Sequence, residues 1–195
     1  MALETTEVRA FGSGHVYVSD SNVTPNFPAS ISTPITRAAG WIDLGYATEE
    51  GVKFTFGRDV VEKFAWQSHH PVRVLVDKVP TMAAFSCMQW NRYTAALALG
   101  GGTVTEGSPG EYKYEPPDES YVDERALLIE AVDGDYTYRF VYRKTMNQSA
   151  VEFSTVRSDT TALPIELKVL APSGTDKAWF MQTDDPNFDV TDAAS

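Results

Sequence analysis

Along most of the chain, apolar residues recur at every second position in short runs closed by Gly, Pro, Asp or Ser. A period of two marks a strand with one face turned to a core. Val16 and Val18 share one such face, Val52, Phe54 and Phe56 another, and Val72, Val74 and Val76 a third. The clearest run sets Tyr136, Tyr138, Phe140 and Tyr142 against Thr137, Arg139 and Arg143, which predicts a half-buried strand. Asp133-Gly134 just before it favours the left-handed conformations of a tight hairpin, so the strand should pair with the run over 126–132. Runs over 151–156 and 165–170 continue the pattern.

One stretch reads as a helix: Asn91 is placed to cap it, Tyr93, Ala96 and Leu97 fall on one face, and Gly100-Gly101 stop it. Met82, Phe85 and Met88 also fit a helical spacing, yet the segment 82–89 is flanked by Pro80 and is read as a strand. Two stretches have no period: 19–40, rich in Ser, Thr and Pro, and 100–123, rich in Gly, Pro and acids. Loops of that length in a compact domain are functional or disordered. Many strands with one helix near the middle predict a mainly β fold, a sandwich or barrel with one flanking α-helix. The expected organisation is a single domain over 1–195 with flexible arms at 19–40, 100–123 and 184–195. Its open strand edges could pair copies of the chain with one another.

Composition narrows the function. The 195 residues are 43% hydrophobic, enough for a real core, and carry 16 basic and 27 acidic residues for a net charge of −11. Residues 106–124 hold seven of those acids and one base, and Asp184, Asp185, Asp189 and Asp192 close the chain without a base. These two segments account for nearly all the imbalance and read either as solvated loops or as a functional acidic surface. A tight grip on nucleic acid needs clustered Lys and Arg, so it is disfavoured. Apolar runs reach only five residues, as over 95–99, which predicts no membrane insertion. The N-terminus does not read as a secretion signal, and one cysteine suits a reducing compartment.

Little in the sequence points to chemistry. The histidines are His15, His69 and His70; the last two are adjacent, and on a strand they would face opposite ways, so they are not expected to hold one metal together. Cys87 stands outside any catalytic thiol motif and reads as a small core residue. Gly100-Gly101-Gly102 follows a helix where a phosphate loop should precede one. The carboxylates of 106–124 sit in a polar loop that would not raise a pKa for acid catalysis. Asn147-Gln148-Ser149 matches a glycosylation acceptor by chance. Catalytic, cofactor and metal sites are therefore all expected to be absent. Trp41, Trp66, Trp90 and Trp179 read as core residues before they read as ligand platforms.

An ordered set of residues adds a family resemblance. His15-Val16-Tyr17-Val18 follows Gly12-Ser13-Gly14; after a Pro-rich arm come Trp41-Ile42-Asp43-Leu44-Gly45-Tyr46 and Glu49-Glu50-Gly51-Val52. Ala65-Trp66-Gln67-Ser68 then leads into Pro71-Val72-Arg73, and Asn91 opens the helix that ends at Ala96-Leu97-Ala98-Leu99-Gly100-Gly101. Over residues 14–102 this resembles the major tail protein, the tail tube subunit, of phages with long non-contractile tails, particularly those infecting actinobacteria.

The resemblance implies a β-sandwich with a flanking helix whose copies form hexameric rings stacked into a tube. It places the protein in the virion tail, assembled in the host cytoplasm around a tape-measure protein, with tail-tip and tail-terminator proteins as partners. The genome would later pass through as double-stranded DNA without tight binding, which an acidic wall favours. No additional immunoglobulin-like domain follows, so host-surface decoration is not expected. Trp41 and Trp66 would anchor packing or a subunit contact, Leu44 belongs to the first motif, Gly45 and Gly51 would shape turns, and Asn91 would start the helix. Gln67 and Arg73 would bridge subunits. Asp118, Glu119, Asp123 and Glu124 become candidates for the channel wall or an arm. The alternatives are another phage β-sandwich protein, for head–tail joining or capsid decoration, and a soluble ligand-binding β-sandwich.

Overall fold

The structure is a computed structural model that describes residues 7–148, 151–155, 157 and 160–189. In chain order its strands are β1 (Ser13–Val18), β2 (Ile42–Asp43), β3 (Ala47–Phe56), β4 (Asp59–Phe64), β5 (Pro71–Lys78) and β6 (Thr81–Cys87). The helix α1 (Arg92–Ala98) follows, then β7 (Thr103–Glu106), β8 (Tyr112–Glu115), β9 (Glu124–Asp133), β10 (Tyr136–Asn147), β11 (Leu163–Val169) and β12 (Trp179–Thr183). The fold is mainly β and antiparallel, as the period-two runs require. The segment 82–89 is a strand, β6, over most of its length.

Eight strands form one sheet in the order β2-β1-β9-β10-β11-β6-β3, and β12 also joins β10. On the edge of β10 away from β9, β12 pairs with Tyr138 to Tyr142 and β11 with Thr145 to Asn147. A bulge between Tyr142 and Thr145 separates the two partners, and such a bulge bends and twists its strand. The sheet therefore forks and curls at this point. Val16 and Val18 of β1 consequently share one core with Ala83, Phe85 and Cys87 of β6 and Ile165 and Leu167 of β11, although three strands separate β1 from β6 in sheet order. The curled sheet thus gives the two layers of the expected sandwich.

The tyrosine-rich strand is β10, and both of its faces are covered. Tyr138 and Tyr142 are buried as predicted, but so are Arg139 and Val141 on the other face. β10 is central in the sheet, and a second cluster covers that face: Trp41, Ala126, Leu128 and Val141, with Phe27, Ile35 and Phe180 against them. Arg139 tolerates burial because Glu130 accepts from its Nε at 2.9 Å and the Ser30 carbonyl from its Nη1 at 3.1 Å. The turn before β10 is Gly134-Asp135, one residue later than predicted. Asp133 pairs with Tyr136, and Gly134 takes φ +59°.

The aperiodic segment 19–40 supplies part of that second layer. Trp41 Nε1 donates to the Asn26 carbonyl at 2.9 Å, its ring meets Phe27 edge-on at 6.0 Å, and Gln182 donates to the Pro28 carbonyl at 3.0 Å. Residues 151–155 are not a strand, although Val151 packs on the main core. Val156, the end of that predicted run, lies outside the described residues.

Helix α1 begins as predicted. The Asn91 carboxamide oxygen accepts from the amides of Tyr93 and Thr94, and the Thr94 hydroxyl accepts from the Asn91 amide, a reciprocal capping box. At the other end Gly100 takes φ +79° and the Gly101 amide donates to the Ala96 carbonyl. Asn147 of β10 donates to the Leu97 and Ala98 carbonyls and ties the helix to the sheet.

A buried clasp joins the first and last described segments. Arg9 Nε donates to the Tyr138 hydroxyl at 2.8 Å and to Asp185 at 2.7 Å, and Tyr138 also bonds Asp185. Burial alone would raise the Asp185 pKa, but hydrogen bonds from Tyr138, the Asn187 amide and Arg9 outweigh it and hold the carboxyl below its ordinary value. A carboxyl depressed in the folded state stabilises the fold above its unfolded pKa, and that contribution is lost as pH falls through the folded value. Asp185→Asn is therefore expected to lower the melting temperature near pH 7, with the gap from wild type closing as the pH is taken below the ordinary carboxylate range. A gap that stays constant with pH would show that the clasp is held by packing alone.

Candidate assembly surfaces

Strands β4 and β5 form a two-stranded sheet of their own, and every residue in both is exposed. Residues that pair directly share a face. The pairs Val60–Val76 and Glu62–Val74 therefore put Val60, Val74 and Val76 on one face, and Val72 joins them by the alternation of β5. The opposite face carries Val61 against Leu75 and Lys63 against Arg73. Trp66 lies in the turn at 99% exposure, with Phe64 beside it at 61%. An isolated two-stranded ribbon with uncovered valines is marginal in water, and contiguous apolar surface of this kind marks an interaction site. Lys63 and Arg73 are like charges placed face to face, so an acidic partner would relieve their repulsion.

The chain matches a family model described as phage tail tube protein over residues 1–192. It belongs to the phage tail tube family. No curated protein matches it. Membership makes it a structural protein of the virion tail, and the exposed ribbon then has a natural reading as a surface for neighbouring copies.

The tail tube resemblance paired Trp41 with Trp66, and the structure separates them. Trp41 is buried at 2% exposure, whereas Trp66 projects from the β4–β5 turn, so the packing role falls to Trp41 and Trp66 is not a core residue. The physical reason is that β4 and β5 pair only with each other among the described strands and stand outside the main sheet. Gln67 and Arg73 are exposed on the same ribbon. Leu44 is buried, and its amide donates to the Val16 carbonyl at 3.0 Å. Gly45 takes φ +78°, the left-handed region that favours glycine, while the nearest obstacle to a Cβ there is the mobile carboxamide end of Gln89, so conformation rather than space is what calls for glycine. Gly51 takes φ +66° within the irregularity of β3 between Ala47 and Val52.

The four acids singled out in the sequence do not form one surface. Asp118 and Glu119 are exposed. Asp123 is buried at 6% with its Oδ2 2.8 Å from Arg125 Nε, and Glu124 bonds Lys144 at 2.7 Å. Asp123 and Glu124 fall at the start of β9, where the main sheet takes up the chain, so they serve the fold of the subunit rather than an extended acidic loop. Asp118 and Glu119 lie after β8 in the connection to β9, while Glu106, Glu111 and Glu115 belong to a second hairpin, β7–β8, whose strands are also largely exposed.

Burial pushes the Cys87 thiol up to about 12, far from a reactive thiolate. His69 and His70 lie in the exposed β4–β5 turn rather than on a strand. No cluster of three metal-ligating side chains occurs among the described residues, and none of their helices is long and apolar enough to cross a membrane. The sequence reading missed the ribbon as a unit. Its valines alternate like those of the core strands, and nothing local records that no second layer covers them.

Proposed function

We propose that copies of this chain close into rings of six that stack head to tail into an open-ended tail tube, the conduit for genome delivery. The observation that carries this reading is the uncovered apolar face of β4–β5, with Trp66 beyond it. A second copy is its natural cover, because a tube repeats one subunit. A patch that meets a different patch on its neighbour makes a heterologous contact, which can close within a ring and stay open along the axis. The number six, the tape-measure protein inside the growing tube, the tail-tip and tail-terminator proteins at its ends, and assembly in the host cytoplasm follow from the resemblance to long non-contractile tails.

The net charge of −11 suits a wall along which double-stranded DNA slides without releasing counterions. Asp118 and Glu119 are the acids of the original four best placed for that wall. Of the three expected arms, 19–40 packs on the second face of its own sheet and Asp185 closes the clasp with Arg9 and Tyr138, so 100–123 is the segment best suited to settle on a neighbour; residues 190–195 lie outside the described structure.

Electron microscopy of the purified protein, alone and with tail-tip components, is expected to show open-ended tubes of six-fold rings that do not retain duplex DNA at physiological salt. Persistent monomers in both conditions would overturn the reading. Hydrogen exchange should slow on assembly in at least one of the three arms, and equal, high protection before and after would remove the arm model.

A further inference from the structure

A pocket beside the start of α1 is lined by Tyr17, Ile35, Trp41, Arg37, Arg92 and Tyr93, among others. Two guanidinium groups converge there on one side chain. Arg37 lies 4.9 Å and Arg92 4.5 Å from the centre of the Tyr93 ring, and both donate to its hydroxyl. The ring face and the hydroxyl oxygen attract each cation. They do not neutralise either, and no carboxylate lies within ion-pair distance of Arg37 or Arg92 among the described residues. Asp43 lines the same pocket but is engaged with His15 and the Gly45 amide. Two exposed, like charges held together in a chain of net charge −11 point to an anionic partner.

Every copy carries such a partner. The base of the β7–β8 hairpin is tied just past the C-terminal end of α1, where the Tyr114 hydroxyl donates to the Gly101 carbonyl, while the pocket sits at the helix N-terminal end. At the hairpin turn the Glu111 amide donates to the Ser108 carbonyl and its own carbonyl accepts from Gly107, which fixes the backbone. Glu106 caps the Gly110 amide at 3.0 Å, whereas the Glu111 carboxylate is exposed and makes no ion pair among the described residues. The pocket lining includes no residue of the hairpin, so the two are different patches of the subunit, as a heterologous contact needs.

We infer that the Arg37–Arg92–Tyr93 pocket receives the acidic β7–β8 hairpin of a second copy, with Glu111 set between the two guanidinium groups. The inference rests on the self-assembly reading and adds a polar contact to the apolar one made by β4–β5. DNA phosphate is a weaker fit, because only two cations converge and the hairpin acid is present once for every pocket.

The test exchanges charge. Arg92→Glu and Glu111→Lys are each expected to raise the concentration needed for assembly about tenfold while leaving the circular dichroism and melting temperature of the free subunit unchanged. An equimolar mixture of the two variants should recover assembly, because each offers the other a complementary hairpin and pocket, and a ring of six accommodates alternation. Wild-type assembly by Arg92→Glu, or two defective variants whose mixture stays defective, would overturn the pairing. So would duplex DNA binding by the wild type that Arg92→Glu abolishes, since the pocket would then be a phosphate site. A wild type that never assembles refutes the self-assembly reading; one that assembles alongside an equally competent Arg92→Glu refutes the pairing alone.

Discussion

Trp66→Ala is expected to leave the subunit folded and to raise the concentration needed for assembly roughly 30- to 700-fold. The side chain is 99% exposed, so the free subunit loses almost no packing when it is truncated, and surface changes of this kind stay within about 0.5 kcal/mol. An exposed Trp that becomes buried at the centre of a contact is another matter. Truncating such anchors costs roughly 2–4 kcal/mol of association, at about 1.4 kcal/mol for each tenfold. Sedimentation of assembled material against protein concentration, read beside thermal melts of the free subunit, measures both effects. Unchanged assembly would take Trp66 out of the contact, and a large drop in melting temperature would show that its ring packs within the subunit.

Trp41→Ala should behave in the opposite way. Here the ring is 2% exposed, meets Phe27 edge-on, and donates to the Asn26 carbonyl, so it holds the segment 19–40 against the second face of the sheet. Removing a buried Trp costs about 3–5 kcal/mol through lost contacts and the cavity left behind. For a chain of this size the melting temperature should fall by roughly 6–20 °C. Amides of 19–40 should exchange faster in the variant than in wild type. A shift under about 2 °C would mean that the segment is held chiefly by its other bonds, such as Gln182 to the Pro28 carbonyl.

The contrast between these two residues shows where local reading ends. Both are tryptophans in strand-rich sequence, and both belong to motifs of the tail tube resemblance. Trp41 precedes β2, which pairs with β1 at the edge of the main sheet, and its ring faces inward. Trp66 sits in the turn of a ribbon that leaves the sheet altogether. Burial is a property of what lies across from a side chain, and in both cases that is set by residues far away in sequence. The same applies to the acids: Asp123 and Asp118 stand five positions apart in one acidic run, yet Asp123 is buried on Arg125 and Asp118 is exposed.

The sequence by itself determined the mainly β class, the strand alternation of β1, β10 and β11, the reading of 82–89 as a strand, the Asn91 cap and glycine stop of α1, the hairpin joining β9 to β10, and, through its ordered motifs, the tail tube family. These are short-range properties, set by side-chain period, capping chemistry and turn conformation within a few residues. Only the tertiary structure decided that the aperiodic segment 19–40 closes the second face of the sheet, that β10 is covered on both sides, that Val60, Val72, Val74 and Val76 are left bare while similar valines in β1 are buried, and that Arg37 and Arg92 meet at Tyr93. Those outcomes depend on the bend of β10 at its bulge and on which strands find partners. Both are set by contacts between residues distant along the chain, which no local period encodes.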